Sequence, residues 1–145
     1  IPENQVFLNE LAIADYPKTP DNLPESFVLT QHDDQIDIAN YRNVKDSVWV
    51  QYSQGKLTFL EFKNYSNTDF RLEDLPVFQI TLDDYKKRYP GSYSLRNLFP
   101  SYLFQDYNKL DSVETIDLTF LWVEGARMDI IWLNKYAAHV EFRFF

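Results

Sequence analysis

Catalytic chemistry is suggested by one triplet of residues, Glu61-Phe62-Lys63, together with the upstream Asp46. Between them lie two apolar runs, Ser47–Tyr52 and Leu57–Lys63, joined by the polar turn Ser53–Lys56. Two such runs around a turn that contains Gly predict a β-hairpin. Side chains at i and i+2 lie on the same face of a strand, so Glu61 and Lys63 are expected to be neighbours. Two carboxylates suit Mg²⁺, and a lysine beside them can assist an attacking water.

Asp46 with Glu61-Phe62-Lys63 resembles the core of the PD-(D/E)xK nucleases. In that superfamily an Asp begins one strand of a hairpin and a (D/E)-x-K triplet ends the next. The resemblance implies that Asp46 and Glu61 bind a divalent metal, while Lys63 stabilises or activates the attacking water. It covers the hairpin alone, because Asn64–Asp69 is a polar loop where the family core continues into a helix.

The charge of the chain argues against a nuclease. Lys and Arg number 14 and Asp and Glu 22, which gives a formal net charge of −8. A negative surface repels nucleic acid and anionic membranes and favours basic partners. A second triplet of the same kind, Asp84-Tyr85-Lys86, lies in a predicted helix, so the pattern has little specificity. We therefore predict no catalytic residues, no metal site and no cofactor, and keep the nuclease at Asp46, Glu61 and Lys63 as the alternative.

The two histidines of the chain are interpreted without catalysis. His32 stands with Asp33, Asp34 and Asp37 in a polar cluster. Asp side chains bond nearby backbone groups in turns, so this cluster predicts a turn rather than a metal site. His139 is expected to be exposed, because it shares the polar face of the last strand with Glu141 and Arg143. No Gly-x-Ser-x-Gly nucleophile pattern is present.

Aromatic residues make up 17% of the chain and offer a third kind of site. The three tryptophans could form a stacking platform for a sugar or a peptide, although strands also use aromatic residues to pack a core. A binding surface is predicted for the Tyr-rich segments near Pro90 and Pro100, since partly exposed tyrosines are enriched at interfaces. The residues concerned are Trp49, Trp122 and Trp132 for the platform and Tyr89, Tyr93, Tyr102 and Tyr107 for the surface.

The absence of cysteine excludes disulfides and thiolate metal sites, and with 3 Gly there is little scope for phosphate-binding loops. No run of 18 apolar residues is present, so the sequence predicts no membrane span. The first residue is Ile1 rather than Met. We expect a soluble protein that is cytoplasmic, or periplasmic or secreted after removal of a signal peptide.

Apolar spacing predicts helices over Glu3–Ala14 and Ser101–Leu110. A third helix is predicted between them, because the capping box Thr81–Asp84 marks a helix start, and this helix should end by Tyr89. Alternation predicts strands elsewhere, and the final one directs Val140, Phe142 and Phe144 to one side. The further strands are expected at Phe27–Thr30, Ile36–Tyr41, the hairpin, a run through Leu118, Phe120 and Trp122, and Ile130–Lys135, with a turn over Glu124–Asp129.

Short connections between these strands predict an antiparallel meander. The expected fold is a single α+β domain over residues 1–145, with one antiparallel sheet and two or three helices packed on a face. No internal repeat is evident in the sequence. The favoured function is a non-catalytic acidic interaction protein that binds a basic protein and neither nucleic acid nor membrane. Bacterial immunity proteins are an analogous class. A ligand-binding module with an aromatic pocket is a further alternative.

Overall fold

The computed structural model describes residues 1–43, 45, 47–65, 68–96 and 115–145, and within them it is built mainly of antiparallel strands. None of the helices in these ranges is long and apolar enough to cross a membrane. The strands are β1 (Val6–Leu8), β2 (Leu11–Ala12), β3 (Phe27–Asp33), β4 (Ile38–Asn43), β5 (Val48–Ser53), β6 (Lys56–Lys63), β7 (Phe70–Leu72), β8 (Leu75–Pro76), β9 (Tyr93–Arg96), β10 (Ile116–Val123), β11 (Ala126–Leu133) and β12 (Tyr136–Phe144). Helical segments are α1 (Leu82–Arg88) and the 3₁₀ turns Glu3–Gln5, Ile13–Asp15, Pro20–Asn22 and Val77–Gln79.

Two sheets are formed by the described strands. The large sheet has eight strands in the order β3-β4-β5-β6-β12-β11-β10-β9, and the small sheet has four in the order β2-β1-β7-β8. The large sheet therefore consists of two four-stranded meanders, which meet where β6 pairs with β12 in its centre. Every pair of neighbouring strands is antiparallel.

The core lies between the inner face of the large sheet and the small sheet with α1. Phe62 of β6 and Phe142 of β12 are fully buried, and Phe70 of the small sheet packs against both. Tyr85 of α1 packs on Trp132 of β11, whose indole N–H donates to Thr119 Oγ1 at 2.9 Å. Buried residues alternate with more exposed ones along β5, β6 and β12, so one face of the large sheet lies on the core.

The two halves of the chain have the same architecture. A short hairpin (β1–β2 or β7–β8) leads into a 3₁₀ turn, then a second helical turn, then a four-stranded meander. The pairing of β6 with β12 is centred on Glu61 opposite Glu141, and β1 with β7 on Phe7 opposite Arg71. Exchanging the halves leaves both pairings unchanged, so the fold has a pseudo-twofold axis that passes between Glu61 and Glu141.

Fine details repeat in both halves. The hairpin β5–β6 has a register shift after Gln51, and β11–β12 has one after the equivalent Ile131. The residues that open the two turns, Gln54 and Asn134, have positive φ angles of 51° and 58°. The segments that flank the axis, Leu60-Glu61-Phe62-Lys63 and Val140-Glu141-Phe142-Arg143, match residue type for residue type.

The predicted α+β class is wrong, because α1 is the single α-helix of the described residues and the strands form two sheets. A helix over Glu3–Ala14 does not form. Asn9 and Glu10 have φ angles of 49° and 71° and turn the chain between β1 and β2. Pairing of β1 with β7 outweighs a helical pattern that is only three turns long. The segment Ser101–Leu110 lies outside the described residues.

Other predictions are confirmed. The hairpin is formed by β5 and β6, and Thr81 caps α1 by accepting a hydrogen bond from the Asp84 N–H at 3.3 Å. The final strand directs Val140 and Phe142 into the core. Near the C-terminus the predicted turn Glu124–Asp129 is shorter than expected, because β11 already begins at Ala126.

Candidate functional site

A row of charged and aromatic side chains crosses the outer face of the large sheet, opposite the core. The strand register places one residue of each strand in this row, and three carboxylates are consecutive at its centre. The row runs from Val28 through Arg42, Trp49, Glu61, Glu141, Asp129 and Phe120 to Tyr93.

Glu61, His139 and Glu141, here called the axial triad, meet at the pseudo-twofold axis. His139 is two residues before Glu141 on β12, so both side chains leave the same face of the strand. His139 Nε2 lies 3.2 Å from Glu61 Oε2 and 3.2 Å from Glu141 Oε1. The ligating atoms of the three residues all lie within 4.8 Å of one another. The triad therefore joins the two meanders through side chains as well as through the β6–β12 ladder.

The electrostatics of the triad are set by burial and by the two carboxylates. Burial lowers the pKa of His139, but the contacts with Glu141 and Glu61 outweigh it and raise that pKa to about 9. Burial alone would raise the pKa of Glu141, whereas His139 and Arg143 lower it. In a protein without bound metal, the imidazole of His139 is therefore protonated at neutral pH and the carboxyl group of Glu141 is ionised.

Two arginines, Arg127 and Arg143, lie on the side of the row that is opposite to His139. Arg127 makes two hydrogen bonds to Asp129, from Nε at 2.8 Å and from Nη2 at 2.9 Å. Arg143 donates to Glu141 Oε2 at 3.3 Å. Both guanidinium groups also lie over aromatic rings, Arg127 over Phe120 and Arg143 over Phe59. Cation–π stacking and ion pairs thus fix these side chains and leave them little freedom to meet a partner.

Of the predicted nuclease residues, Glu61 and Lys63 lie on the outer face of β6, and Asp46 lies outside the described residues. Glu61 contacts His139, and its Cα partner on β5 is Trp49. Lys63 is the register partner of His139 on β12. The nuclease alternative grouped Glu61 with Asp46 and Lys63, whereas in the structure Glu61 contacts His139.

The prediction that His139 is exposed is wrong. Its side chain is 4% exposed, although it does lie on the charged face with Glu141 and Arg143. The likeness of Leu60-Glu61-Phe62-Lys63 to Val140-Glu141-Phe142-Arg143 was a signal that could have placed the two segments side by side. Alternation along one strand predicts a face, but it cannot show what lies across from it.

The second histidine cluster does form the predicted turn at the tip of the β3–β4 hairpin. His32 Nδ1 lies 3.0 Å from Asp34 Oδ1, and Asp33 Oδ1 accepts the Gln35 N–H at 3.0 Å. Asp34 is 90% exposed in its side chain. Solvent competes with such contacts, so the cluster is a surface turn.

The predicted aromatic residues have different positions. Trp132 is a core residue, Trp49 lies under Arg42, and Trp122 is 64% exposed and stacks on Phe145. Tyr89 is buried and hydrogen-bonds Glu73, which is contrary to its predicted place at the surface. Tyr93 is exposed as predicted, whereas Tyr102 and Tyr107 lie outside the described residues.

A cavity of about 410 Å³, here called the N-terminal groove, lies between the small sheet, the connection to β3, and β4. Its wall is partly apolar and its polar groups include the carboxylate of Asp15. Glu10, Asp21 and Glu25 are immediate chain neighbours of lining residues. The lining is formed by Leu8, Asn9, Leu11, Asp15, Tyr16, Pro17, Asn22, Pro24, Ser26, Phe27 and Asn43.

Comparisons with protein-family models, with curated proteins and with solved structures find no match to this chain. The axial triad and the N-terminal groove are therefore interpreted from their own chemistry.

Proposed function

We propose that this protein is a non-catalytic interaction domain that binds a basic protein, with the N-terminal groove as the contact for a lysine or arginine side chain. The partly apolar groove with Asp15 in its lining is the observation that carries the proposal. Three further acidic residues, Glu10, Asp21 and Glu25, and two basic residues, Lys18 and Arg42, adjoin lining residues along the chain. Protein ligand sites commonly combine an apolar wall with a few polar groups in this way.

The groove matches the chemistry of a long cationic side chain. Lysine and arginine cover apolar surface with their methylene stems and keep their charged ends near water or a carboxylate. Tyr16, Pro17 and Phe27 supply an apolar wall, and Asp15 supplies the carboxylate. Leu11 is 41% exposed at the same place, so it offers apolar surface that a partner can cover.

The distribution of charge favours a basic partner. Several described arginines are already engaged inside the molecule, for example Arg127 with Asp129 and Arg143 with Glu141. With 22 acidic and 14 basic side chains, the chain has more carboxylates than lysines and arginines to pair with them. A local excess of negative charge accelerates association with a positively charged protein.

An immunity- or inhibitor-type role is proposed by analogy of class, since bacterial immunity proteins are small acidic proteins that neutralise toxins, which are often basic. The analogy rests on size, charge and the groove, and fold alone does not assign function.

Binding kinetics with defined peptides test this proposal. One peptide set carries Lys or Arg between apolar residues, and a matched set carries Gln at the same positions. We expect the basic set to bind, with association slowing as NaCl rises and dissociation changing less, because long-range steering is screened over about 8 Å at physiological salt. The triple variant Asp15→Asn/Asp21→Asn/Glu25→Gln should associate about tenfold more slowly.

A matched control removes three carboxylates elsewhere, as Asp34→Asn/Asp83→Asn/Glu124→Gln. This variant has the same net charge as the groove variant and should associate at nearly the wild-type rate. Equal losses in the two variants would show that overall charge, and not the groove, governs binding. Association that ignores salt, or preference for acidic peptides, would refute a basic partner.

A further inference from the structure

The axial triad has the composition and spacing of a metal site. Two carboxylate oxygens and one imidazole nitrogen are donors that divalent transition metals accept in proteins. Around an ion with bonds of about 2.0–2.1 Å, neighbouring ligand atoms lie roughly 3.0–3.4 Å apart. Both distances from His139 Nε2 to the carboxylates, 3.2 Å, fall in this range, and all three ligand atoms lie within 4.8 Å of one another.

His139 gives a second and independent indication. It is 4% exposed, and neither of its ring nitrogens has a hydrogen-bond partner among the described residues. Nε2 is as close to Glu61 as to Glu141, but an N–H bond on it points squarely at neither oxygen. A buried polar group without a hydrogen bond is costly, and a shared ion on Nε2 would remove that cost at this nitrogen.

The backbone itself brings two like charges together. Glu61 and Glu141 are direct register partners in the β6–β12 ladder, and like charges directly opposite each other destabilise a sheet. The imidazolium of His139, 3.2 Å from both carboxylates, offsets one of these two negative charges. A divalent ion neutralises both carboxylates at once and leaves the imidazole uncharged.

We propose that the axial triad binds one divalent transition-metal ion, with Zn²⁺ the preferred species, through Glu61 Oε2, Glu141 Oε1 and His139 Nε2. Three protein ligands leave a fourth tetrahedral position for water or for a group from a partner. Glu61 is 28% exposed in its side chain, so the ion can enter from its side.

The surroundings support this assignment of atoms. The oxygen of Glu141 that does not face the histidine, Oε2, accepts a hydrogen bond from Arg143 Nη2. Ligating carboxylates in metal sites are commonly oriented by such an outer contact. An ion held by β6 and β12 would also link the two meanders, so its binding should stabilise the folded protein. This inference is independent of the N-terminal groove.

Metal titration of the full chain tests the proposal. Protein stripped with EDTA and desalted is titrated with ZnCl₂ by calorimetry and with CoCl₂ by visible absorption. We expect one ion per chain, ligand-field bands for Co²⁺, a higher melting temperature with Zn²⁺, and a shift of the His139 ring ¹⁵N signals in NMR. Glu61→Gln and Glu141→Gln should each weaken Zn²⁺ binding roughly 100-fold.

The other histidine provides the matched control. His32→Gln removes an exposed imidazole that also lies beside two carboxylates, and it should leave the affinity for Zn²⁺ unchanged. If His139→Gln does not fold, Glu61→Gln still decides, because Glu61 is the most exposed member of the triad. Absence of Zn²⁺ uptake, or uptake that survives Glu61→Gln and disappears in His32→Gln, would overturn the proposal.

Discussion

The two meanders of the large sheet have nearly the same inner face and different outer faces. On the core side, Leu60 and Phe62 of β6 correspond to Val140 and Phe142 of β12, and all four are fully buried. On the outer side, the pseudo-twofold axis relates Phe59 to His139 and Trp49 to Asp129. At these two positions the first half presents aromatic rings and the second presents ionisable groups, whereas at the next position of the row the order is reversed, with Arg42 in the first half and Phe120 in the second.

This difference shows which constraints each face obeys. A core must be filled to close-packed density, so equivalent positions in the two halves keep similar volumes. The outer positions are free of that demand and can diverge in charge. Glu61 and Glu141 are the exception, because they are identical, face each other at the axis and share His139. The outer faces of the two halves therefore differ except at the axis, where the two glutamates are register partners.

The largest expected effect is on the shared core. We expect Phe62→Ala and Phe142→Ala each to lower the free energy of unfolding by about 3–5 kcal/mol, because both rings are fully buried and pack against Phe70. Chemical denaturation of both variants measures this. Phe59→Ala, a half-buried change on the outer face, is the control and should have a clearly smaller effect. A much milder loss for one of the two core variants would mean that the halves are not equivalent in packing.

The next effect sharpens the contrast between His139 and its aromatic counterpart Phe59. Its contacts with Glu141 and Glu61 raise the pKa of His139 in the folded, metal-free protein from the ordinary 6.5 to about 9. Protonated His139 stabilises the folded protein, and this stabilisation is present in full below pH 6.5. It is lost as the pH rises through 9, because the imidazole then loses its proton. In EDTA we expect the free energy of unfolding to fall by on the order of 3 kcal/mol across this window.

His139→Gln is the control for this pH dependence, since glutamine does not titrate. Denaturation curves recorded at several pH values between 6 and 9.5 should converge for the two proteins at the alkaline end. Parallel curves would show that the carboxylates of Glu61 and Glu141 do not hold a proton on His139.

Local patterns in the sequence were sufficient for the long strands and for α1. The runs Ser47–Tyr52 and Leu57–Lys63 alternate over enough residues to specify a hairpin, and Thr81 with Asp84 specifies a helix start. The two- and three-residue strands of the small sheet carry no readable period. Their pairing depends on contacts between Val6–Leu8 and Phe70–Leu72, which are remote in sequence.

The candidate site was harder to predict for the same reason. Glu61 was singled out from its spacing to Lys63, while its actual partners, His139 and Glu141, come from a strand at the far end of the chain. Alternation placed His139 correctly on the charged face. Only the β6–β12 register determines that this face is crossed by two glutamates at one point, and alternation along a single strand does not contain that register.

The smallest effect concerns the helical turns that precede the two meanders. In the second half Thr81 caps α1 through its hydroxyl, which accepts the Asp84 N–H. In the first half the corresponding turn, Pro20–Asn22, follows Thr19, which makes no side-chain capping bond within the described residues. We expect Thr81→Ala to lower the free energy of unfolding by about 1 kcal/mol, because one helical N–H loses its acceptor.

Thr19→Ala is the same chemical change and should remain within about 0.5 kcal/mol of wild type. Thr81→Ser retains a hydroxyl and should recover most of the loss. Thermal melts of the three variants measure the ranking, and equal destabilisation by both alanine changes would show that the cap is not what distinguishes the two halves.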